Sequence, residues 1–311
     1  MKLPLLLLLS ALIPLLALEA GTKKEVAEFL QDISVTIKAE SGYQKSEGSG
    51  VLVVREIGGK KVTFVLTAAH VVDNLRSTRE IVDEKGGTRK IIEFKDAQIV
   101  KELIEGGRRV GEVKMDARVI KYSDADHAHD LALLMVRARD YGKSGATFQV
   151  KEGEDITAIG TQLYHVGSLL GQMGANSMTT GIMSQVGRIM DKKEFDQTTV
   201  TAFPGSSGGG VYLTDGKYVG MIVRGAGEGF NLIVPIRRIR EWAEDSDISW
   251  ILDSGEDMPS LKDIKGLAIE DSGFPGPRGD REGSESSSGN TLEKFPYLIV
   301  REKKSPGLLD E

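Results

Sequence analysis

Apolar and polar residues alternate in short blocks along most of this chain. The blocks Ile33–Ile37, Gly50–Val54, Lys61–Leu66, Lys90–Phe94 and Ala117–Ile120 are brief, rich in β-branched residues and separated by glycine or charge. The same texture resumes at Asp155–Ile159, Gly181–Val186, Thr198–Ala202, Gly210–Leu213, Tyr218–Val223 and Asn231–Val234. Runs of this length between turn signals predict strands, and this many predict an all-β body, either two antiparallel barrels or a sandwich. Two stretches carry the helical period instead. Val26, Phe29, Leu30 and Ile33 predict a short amphipathic helix over Lys23–Ile33, and Ile236, Ile239 and Trp242 predict a closing helix over 235–244, with Pro235 suited to its first turn. A break at Asp140–Ser144 divides the body into a first half of about 30–143 and a second of about 144–235.

The two ends depart from this pattern. Lys2, the apolar run Leu3–Leu18 and the small residues Ala20 and Gly21 predict a secretory signal peptide over 1–20. The run contains Pro4 and Pro14 and is short against the roughly 20 residues that span a bilayer, so membrane attachment is expected only if the segment stays uncleaved. The folded body is then 21–252. Beyond Leu252 the chain turns acidic, and Asp271–Gly289 is glycine, proline, serine and charge. Residues 253–311 are therefore expected to form a largely disordered tail, with one apolar island at Phe295–Val300.

Composition narrows the chemistry. The 311 residues include no cysteine and four histidines, and the formal net charge is −6. Without cysteine there is no disulfide framework, thiol nucleophile or iron–sulfur cluster. The charge gives no sign of a basic face for nucleic acid. No metal or other cofactor is expected. Export without cysteine points to a periplasmic or extracellular protein of a bacterium. What remains is chemistry by oxygen nucleophiles, carboxylates and a few imidazoles.

Three short motifs supply those groups. Thr67-Ala68-Ala69-His70 ends a strand-like run, Asp130-Leu131-Ala132-Leu133-Leu134 sets a carboxylate before an apolar strand, and Gly205-Ser206-Ser207-Gly208-Gly209 surrounds a serine with glycine. A serine hydroxyl needs a base within hydrogen-bond reach to act as a nucleophile. Imidazole serves because it exchanges protons near neutral pH, and a carboxylate holds its tautomer and stabilises the imidazolium. Glycines let a tight loop turn two amide N–H groups onto a developing oxyanion. In the order His70, Asp130, Ser207 the first two lie on the first half and the serine on the second, so a site would form between them.

On these motifs the sequence resembles the trypsin-like (chymotrypsin-fold) serine peptidases, and among them the cysteine-free bacterial HtrA/Deg-like branch. Gly48-Ser49-Gly50-Val51 and Phe64–Val72, Asp130–Val136, Thr179–Ser184 with Gly187-Arg188, Gln197–Gly209, Tyr218–Val223 and Phe230–Pro235 carry the likeness over about residues 30–245. The resemblance implies two antiparallel β-barrels with short N- and C-terminal helices. It implies Ser207 as nucleophile, His70 as general base and then acid, Asp130 as orienting carboxylate, and the amides of Gly205 and Ser207 as the oxyanion hole. The substrates would be proteins or peptides, attacked through an acyl-enzyme. It also implies a primary pocket with Thr201 at its base and walls that include Val223, Arg224 and Gly225. Since Thr201 is not acidic, uncharged side chains of small or medium size are expected there.

Some features depart from the family. Ser206 stands where trypsin-type zymogens carry an aspartate, and no PDZ domain is expected after residue 252. The neighbouring Asp124, Asp126, His127 and His129 are expected to form a solvated loop rather than a metal site, with Asp124 or Asp126 as the fallback carboxylate. His165 is expected to be structural. Two rival readings stay open: a catalytically silent relative that binds polypeptides, and a self-processing enzyme. An α/β-hydrolase is disfavoured, because that fold places its serine before its histidine in the chain.

Overall fold

The computed structural model describes residues 23–82, 88–150, 153, 156–225 and 229–270. The predicted signal peptide and most of the predicted tail lie outside them. Helix α1 (23–32) leads in, with Leu30 fully buried and Val26 and Phe29 packed against the core. Then come β1 (Ser34–Ser41), β2 (Gln44–Ile57) and β3 (Lys60–Thr67), a one-turn helix α2 (Ala69–Val72), and a separate hairpin of β4 (Arg76–Val82) and β5 (Thr88–Phe94). Strands β6 (Ala97–Glu105), β7 (Arg108–Ser123) and β8 (Leu131–Val136) complete a closed barrel in the order β1-β2-β3-β8-β7-β6, with β6 pairing back on β1. All six residues of β8 are buried, as an apolar run enclosed on both faces requires.

The second barrel is built from β9 (Gln162–Leu169), β10 (Gly174–Met190), β11 (Lys193–Thr198), β12 (Gly210–Leu213), β13 (Tyr218–Gly225) and β14 (Asn231–Pro235), in the order β10-β11-β14-β13-β12-β9. Every strand pair in both barrels is antiparallel. Closure leaves neither sheet with an open edge. The all-β expectation and its two-barrel form therefore hold. Helix α3 (Ile236–Asp245) follows with Pro235 at its N-cap, and buries Ile236, Ile239 and Trp242 as their spacing predicted.

Local expectations met mixed outcomes. Asp155–Ile159 was expected as a strand, but Ile156 and Ile159 are 60% and 61% exposed in a turn region. An isolated apolar pair without a paired neighbour gains nothing from extending. Of Thr198–Ala202 only Thr198 ends a strand; the rest is the irregular approach to Ser207. The long strands β6 and β9 escaped the sequence reading because lysine, glutamate and histidine interrupt them. The link between barrels is longer than Asp140–Ser144, running from 137 to 161, and it is stitched to both sides. Gly142 N donates to Thr63 Oγ1 at 3.0 Å, Ala146 N to Leu52 O at 2.8 Å, and Gln149 N to Tyr218 O at 3.1 Å.

The expected tail boundary at 252 also shifts. Residues 253–270 return to the first barrel as an ordered strap. Its helix α4 (Leu261–Gly266) has a capping box between Ser260 and Asp263 and buries Ile264. Beyond it, Tyr122 N donates to Ile269 O at 2.7 Å, Lys121 Nζ to Ala268 O at 3.1 Å, and Arg76 pairs with Glu270. The acidic composition masked an apolar set, Leu261, Ile264, Leu267 and Ile269, that packs against the core.

Candidate active site

His70 lies in α2, where β3 ends at the rim of the first barrel. Asp130 lies one residue before β8. Its φ of 60° is left-handed, a conformation that aspartate tolerates better than most residues. That conformation aims the carboxylate at α2. Both Asp130 oxygens lie 3.0 Å from His70 Nδ1, and the His70 amide donates to Oδ1 at 3.1 Å. A carboxylate only accepts, so Nδ1 carries the proton and Nε2 is free to take one. Asp130 is 3% exposed, while the imidazole side chain keeps 34% of its surface open.

Charge on the pair is mutually supported. Burial opposes charge on the His70 ring, but the Asp130 charge and hydrogen bond prevail and raise its pKa above the usual value. Burial likewise opposes the Asp130 carboxylate, yet His70 holds it below its ordinary range. Arg224 lowers both.

The Ser207 loop joins β11 to β12 and is pinned to the first barrel through Ser49 of β2. Ser49 N donates to Ser207 O at 2.7 Å. The Ser49 hydroxyl donates to Gly205 O at 2.7 Å and accepts from Ser168 N at 2.7 Å. Thr67 Oγ1 donates to Ser49 O at 2.7 Å. Val71, next to His70, packs so closely on Gly48 that a Cβ there would lie 2.5 Å from it and 3.1 Å from Ser207 O. One corner of the first barrel thus holds both the histidine turn and the serine loop.

Within that loop Gly205 has φ 95°, and a Cβ on it would fall 2.3 Å from Ser168 O. Only glycine fits. Ser206 is buried and closes a turn, accepting from Phe203 N at 3.1 Å and donating its own amide to Phe203 O at 2.8 Å. Among the described residues, the Gly205 and Ser207 amides have no hydrogen-bond acceptor. Two adjacent unpaired N–H groups beside a serine can receive negative charge on a substrate oxygen.

A small pocket opens beside Ser207, lined by Ala202, Phe203, Pro204, Ile222, Arg224, Gly225 and Asn231. Arg224 and Gly225, expected as pocket walls, are among these lining residues. Thr201 and Val223 do not line it. Val223 is 2% exposed and packs in the core, because neighbours on a strand face opposite ways and Ile222 and Arg224 take the pocket side. The Thr201 carbonyl is held by Thr179 Oγ1 at 2.8 Å, and Ala202 occupies the wall instead. Arg224 pairs with Asp191 at 3.2 Å and stacks 5.5 Å from the Phe195 ring centroid.

The loop before Asp130 is less solvated than expected. Asp124 Oδ1 accepts from the amides of Asp126 and His127 at 2.9 Å each, closing a tight turn. His129 is 4% exposed, and burial followed by the cations Arg238 and Lys193 pushes its pKa down to about 4. His165 lies fully buried under the serine loop, with Nδ1 2.9 Å from Gly210 O. Ser49, which anchors the serine loop, went unassigned. Its sequence signal was the pair of glycines around it, each needed for close packing.

A hydrogen-bonded imidazole–carboxylate pair and a serine loop with two unpaired amides, set between two antiparallel barrels, define the trypsin-like class of fold and site. A family model for the trypsin-like peptidase domain matches residues 48–221, and the chain belongs to that family. Among curated relatives, the "Serine protease Do-like HtrA" of Lactococcus lactis is 30% identical over 59% of this chain and 38% of its own length. The protein of the same name in Bacillus subtilis is 24% identical over 85% and 51%. A "Probable periplasmic serine endoprotease DegP-like" of Halomonas elongata is 27% identical over 59% and 30%. The chain thus spans about half or less of these relatives. Among solved structures, the HtrA-type protease AlgW with tripeptide gives a TM-score of 0.52 at 17% identity, covering 75% of this chain and 64% of that one. A serine endoprotease from Yersinia pestis gives 0.51 at 19%, covering 75% and 68%. These likenesses show the fold.

Proposed function

We propose that this chain is an exported serine endopeptidase working through Ser207, His70 and Asp130. The observation that carries this reading is the His70–Asp130 pair, with both carboxylate oxygens 3.0 Å from Nδ1, at the corner that also anchors the Ser207 loop. The Ser207 hydroxyl attacks the scissile carbonyl and gives its proton to His70 Nε2. The carbonyl oxygen becomes an oxyanion, held by the amides of Gly205 and Ser207. The imidazolium then protonates the leaving amine, the C–N bond breaks, and an acyl-enzyme remains. Water, deprotonated by His70, attacks the ester and releases the acid and the serine. Asp130 stays ionised throughout and holds the imidazole in the reactive tautomer. The cycle balances without a metal or nucleotide.

The substrates on this reading are proteins or peptides, and the role is protein quality control in a bacterial envelope. The DegP-like relatives, named as probable periplasmic endoproteases, support the periplasm. No helix among the described residues is long and apolar enough to cross a membrane. The domain plan proposed is a leader over 1–20, a catalytic body that starts at 21 and includes the strap of 253–270, and a C-terminal segment beyond it.

The test is direct. Purified protein without its leader is treated with a fluorophosphonate probe and given casein. Labelling at Ser207, with loss of both labelling and cleavage in Ser207→Ala, is the expected result. A folded protein that neither labels nor cleaves would overturn the reading in favour of a polypeptide-binding relative.

A further inference from the structure

Two cations of the second barrel are buried against the loop that carries Asp130. Lys193 opens β11 and Arg238 lies in the first turn of α3, and each is 3% exposed. Lys193 Nζ donates to Ala125 O at 2.5 Å and to Asp126 O at 3.0 Å. Arg238 Nη2 donates to His129 O at 2.9 Å, and its Nη1 donates to Glu194 O at 2.7 Å. The guanidinium also stacks 4.9 Å from the Phe195 ring centroid. Three carbonyls in the turn leading to Asp130 are therefore gripped from the opposite barrel.

Burying an ammonium or guanidinium costs several kcal/mol unless charges and acceptors offset it. An apolar side chain would fill the same space without that penalty. The offset here comes from the loop carbonyls and from Asp130, whose charge lies within electrostatic reach of both cations. The loop needs such a grip. It is a tight turn that ends on a left-handed aspartate, and its carboxylate must meet His70 with both oxygens.

We propose that Lys193 and Arg238 are positioning residues for the reaction, clamping the Asp124–Asp130 turn from the second barrel and so holding Asp130 against His70. This rests on the endopeptidase reading above. It makes the second barrel responsible for the alignment of a pair carried wholly by the first. Charged groups facing the pair from other elements are Asp73 after α2, Lys193, Arg224 of β13 and Arg238. Its own loop adds Asp124, Asp126 and His129.

The experiment compares full-length wild type, Lys193→Met and Lys193→Arg on a fluorogenic peptide between pH 5 and 9, well below each melting temperature. Lys193→Met should lower kcat on the order of 10- to 100-fold, as for a misplacement of about an ångström, with KM within about twofold. Loosening Asp130 removes the contact that raises the His70 pKa, so the acid limb of kcat/KM should move to lower pH. Lys193→Arg should restore most of the rate. In an Asp130→Asn background, Lys193→Met should add less than about twofold, because it acts through Asp130. A Lys193→Met protein that melts lower but keeps the wild-type kcat and pH limb would overturn the proposal, as would a full additional loss in the Asp130→Asn background. Should Lys193→Met fail to fold, Lys193→Gln and Arg238→Lys are read on the same assays. If wild type itself is not labelled at Ser207, the endopeptidase reading has failed; if wild type is active and the clamp variants match it, only the clamp has.

Discussion

Replacing Ser49 by alanine should unfasten the serine loop. The Ser49 hydroxyl is 1% exposed and makes two bonds of 2.7 Å, one given to Gly205 O and one received from Ser168 N. Alanine leaves a half-buried carbonyl and a buried N–H without partners, a fully buried group of this kind being worth about 1–3 kcal/mol. Some relaxation at the loop surface lowers the sum, so a loss of about 2–4 kcal/mol is expected. For a body of this size that is a fall of about 5–15 °C in melting temperature. Activity should drop as well. Gly205 also carries the amide proposed to face the oxyanion, one peptide unit before the carbonyl that Ser49 holds, and full loss of such a donor costs about 2.7–4 kcal/mol of barrier. Ser49→Ala loosens that residue without deleting its N–H, so kcat should fall by about tenfold or more while KM stays within about twofold. Calorimetry and steady-state cleavage of a fluorogenic peptide read the two effects separately. A variant that melts with wild type and keeps its kcat would refute the claim that Ser49 anchors the loop.

Gly208→Ala should be worse for folding than Ser49→Ala: with φ 88° and a Cβ 2.1 Å from Ser49 O, it should give no soluble protein or lower the melting temperature by about 10 °C or more. Burial holds His165 neutral with a pKa near 4, against 6.5 unfolded. The unfolded chain therefore binds more protons below pH 6.5, and the stability this group contributes should be complete above that pH and fall as pH drops toward 4, by up to about 3 kcal/mol. Urea midpoints between pH 8 and 4 test this, and a flat profile over that range would refute it. Arg224 opposes charge on His70, so Arg224→Gln should move the acid limb of kcat/KM upward, whereas an unmoved limb would place the guanidinium out of reach of the pair. Ending the chain after Leu252 removes Ile264 and the Tyr122–Ile269 bond, so melting should fall by at least about 4 °C.

How far the site could be read in advance varied with the range of the interaction. His70, Asp130 and Ser207 were legible because each stands in a short motif whose residue types have a local reason: the turn after a strand, the start of an apolar run, the glycine-flanked loop. The two glycines at 205 and 208 were legible for the same reason, since positive φ is a local demand. Thr201 and Val223 were misplaced because only the barrel decides which face of β13 turns to the pocket and how the irregular run before Ser207 is laid. Ser49, Lys193 and Arg238 had no local signature for their roles. A serine between glycines and two cations on strand and helix acquire those roles only from carbonyls 60 to 160 residues distant in the chain, such as Gly205 from Ser49 and His129 from Arg238.

By itself, then, the sequence determined the all-β character, the two-part body, both framing helices and the three residues proposed as the catalytic groups, because strand alternation, helical period and motif chemistry are local properties. Only the tertiary structure decided how the groups are held. Closure of each barrel sets which strands are neighbours, and that choice brings Ser49 under the serine loop, the strap of 253–270 against β7, and Lys193 and Arg238 onto the turn before Asp130. Each of these contacts joins distant segments whose polar groups are satisfied by one another rather than by water, a pairing that no short stretch of chain can specify on its own.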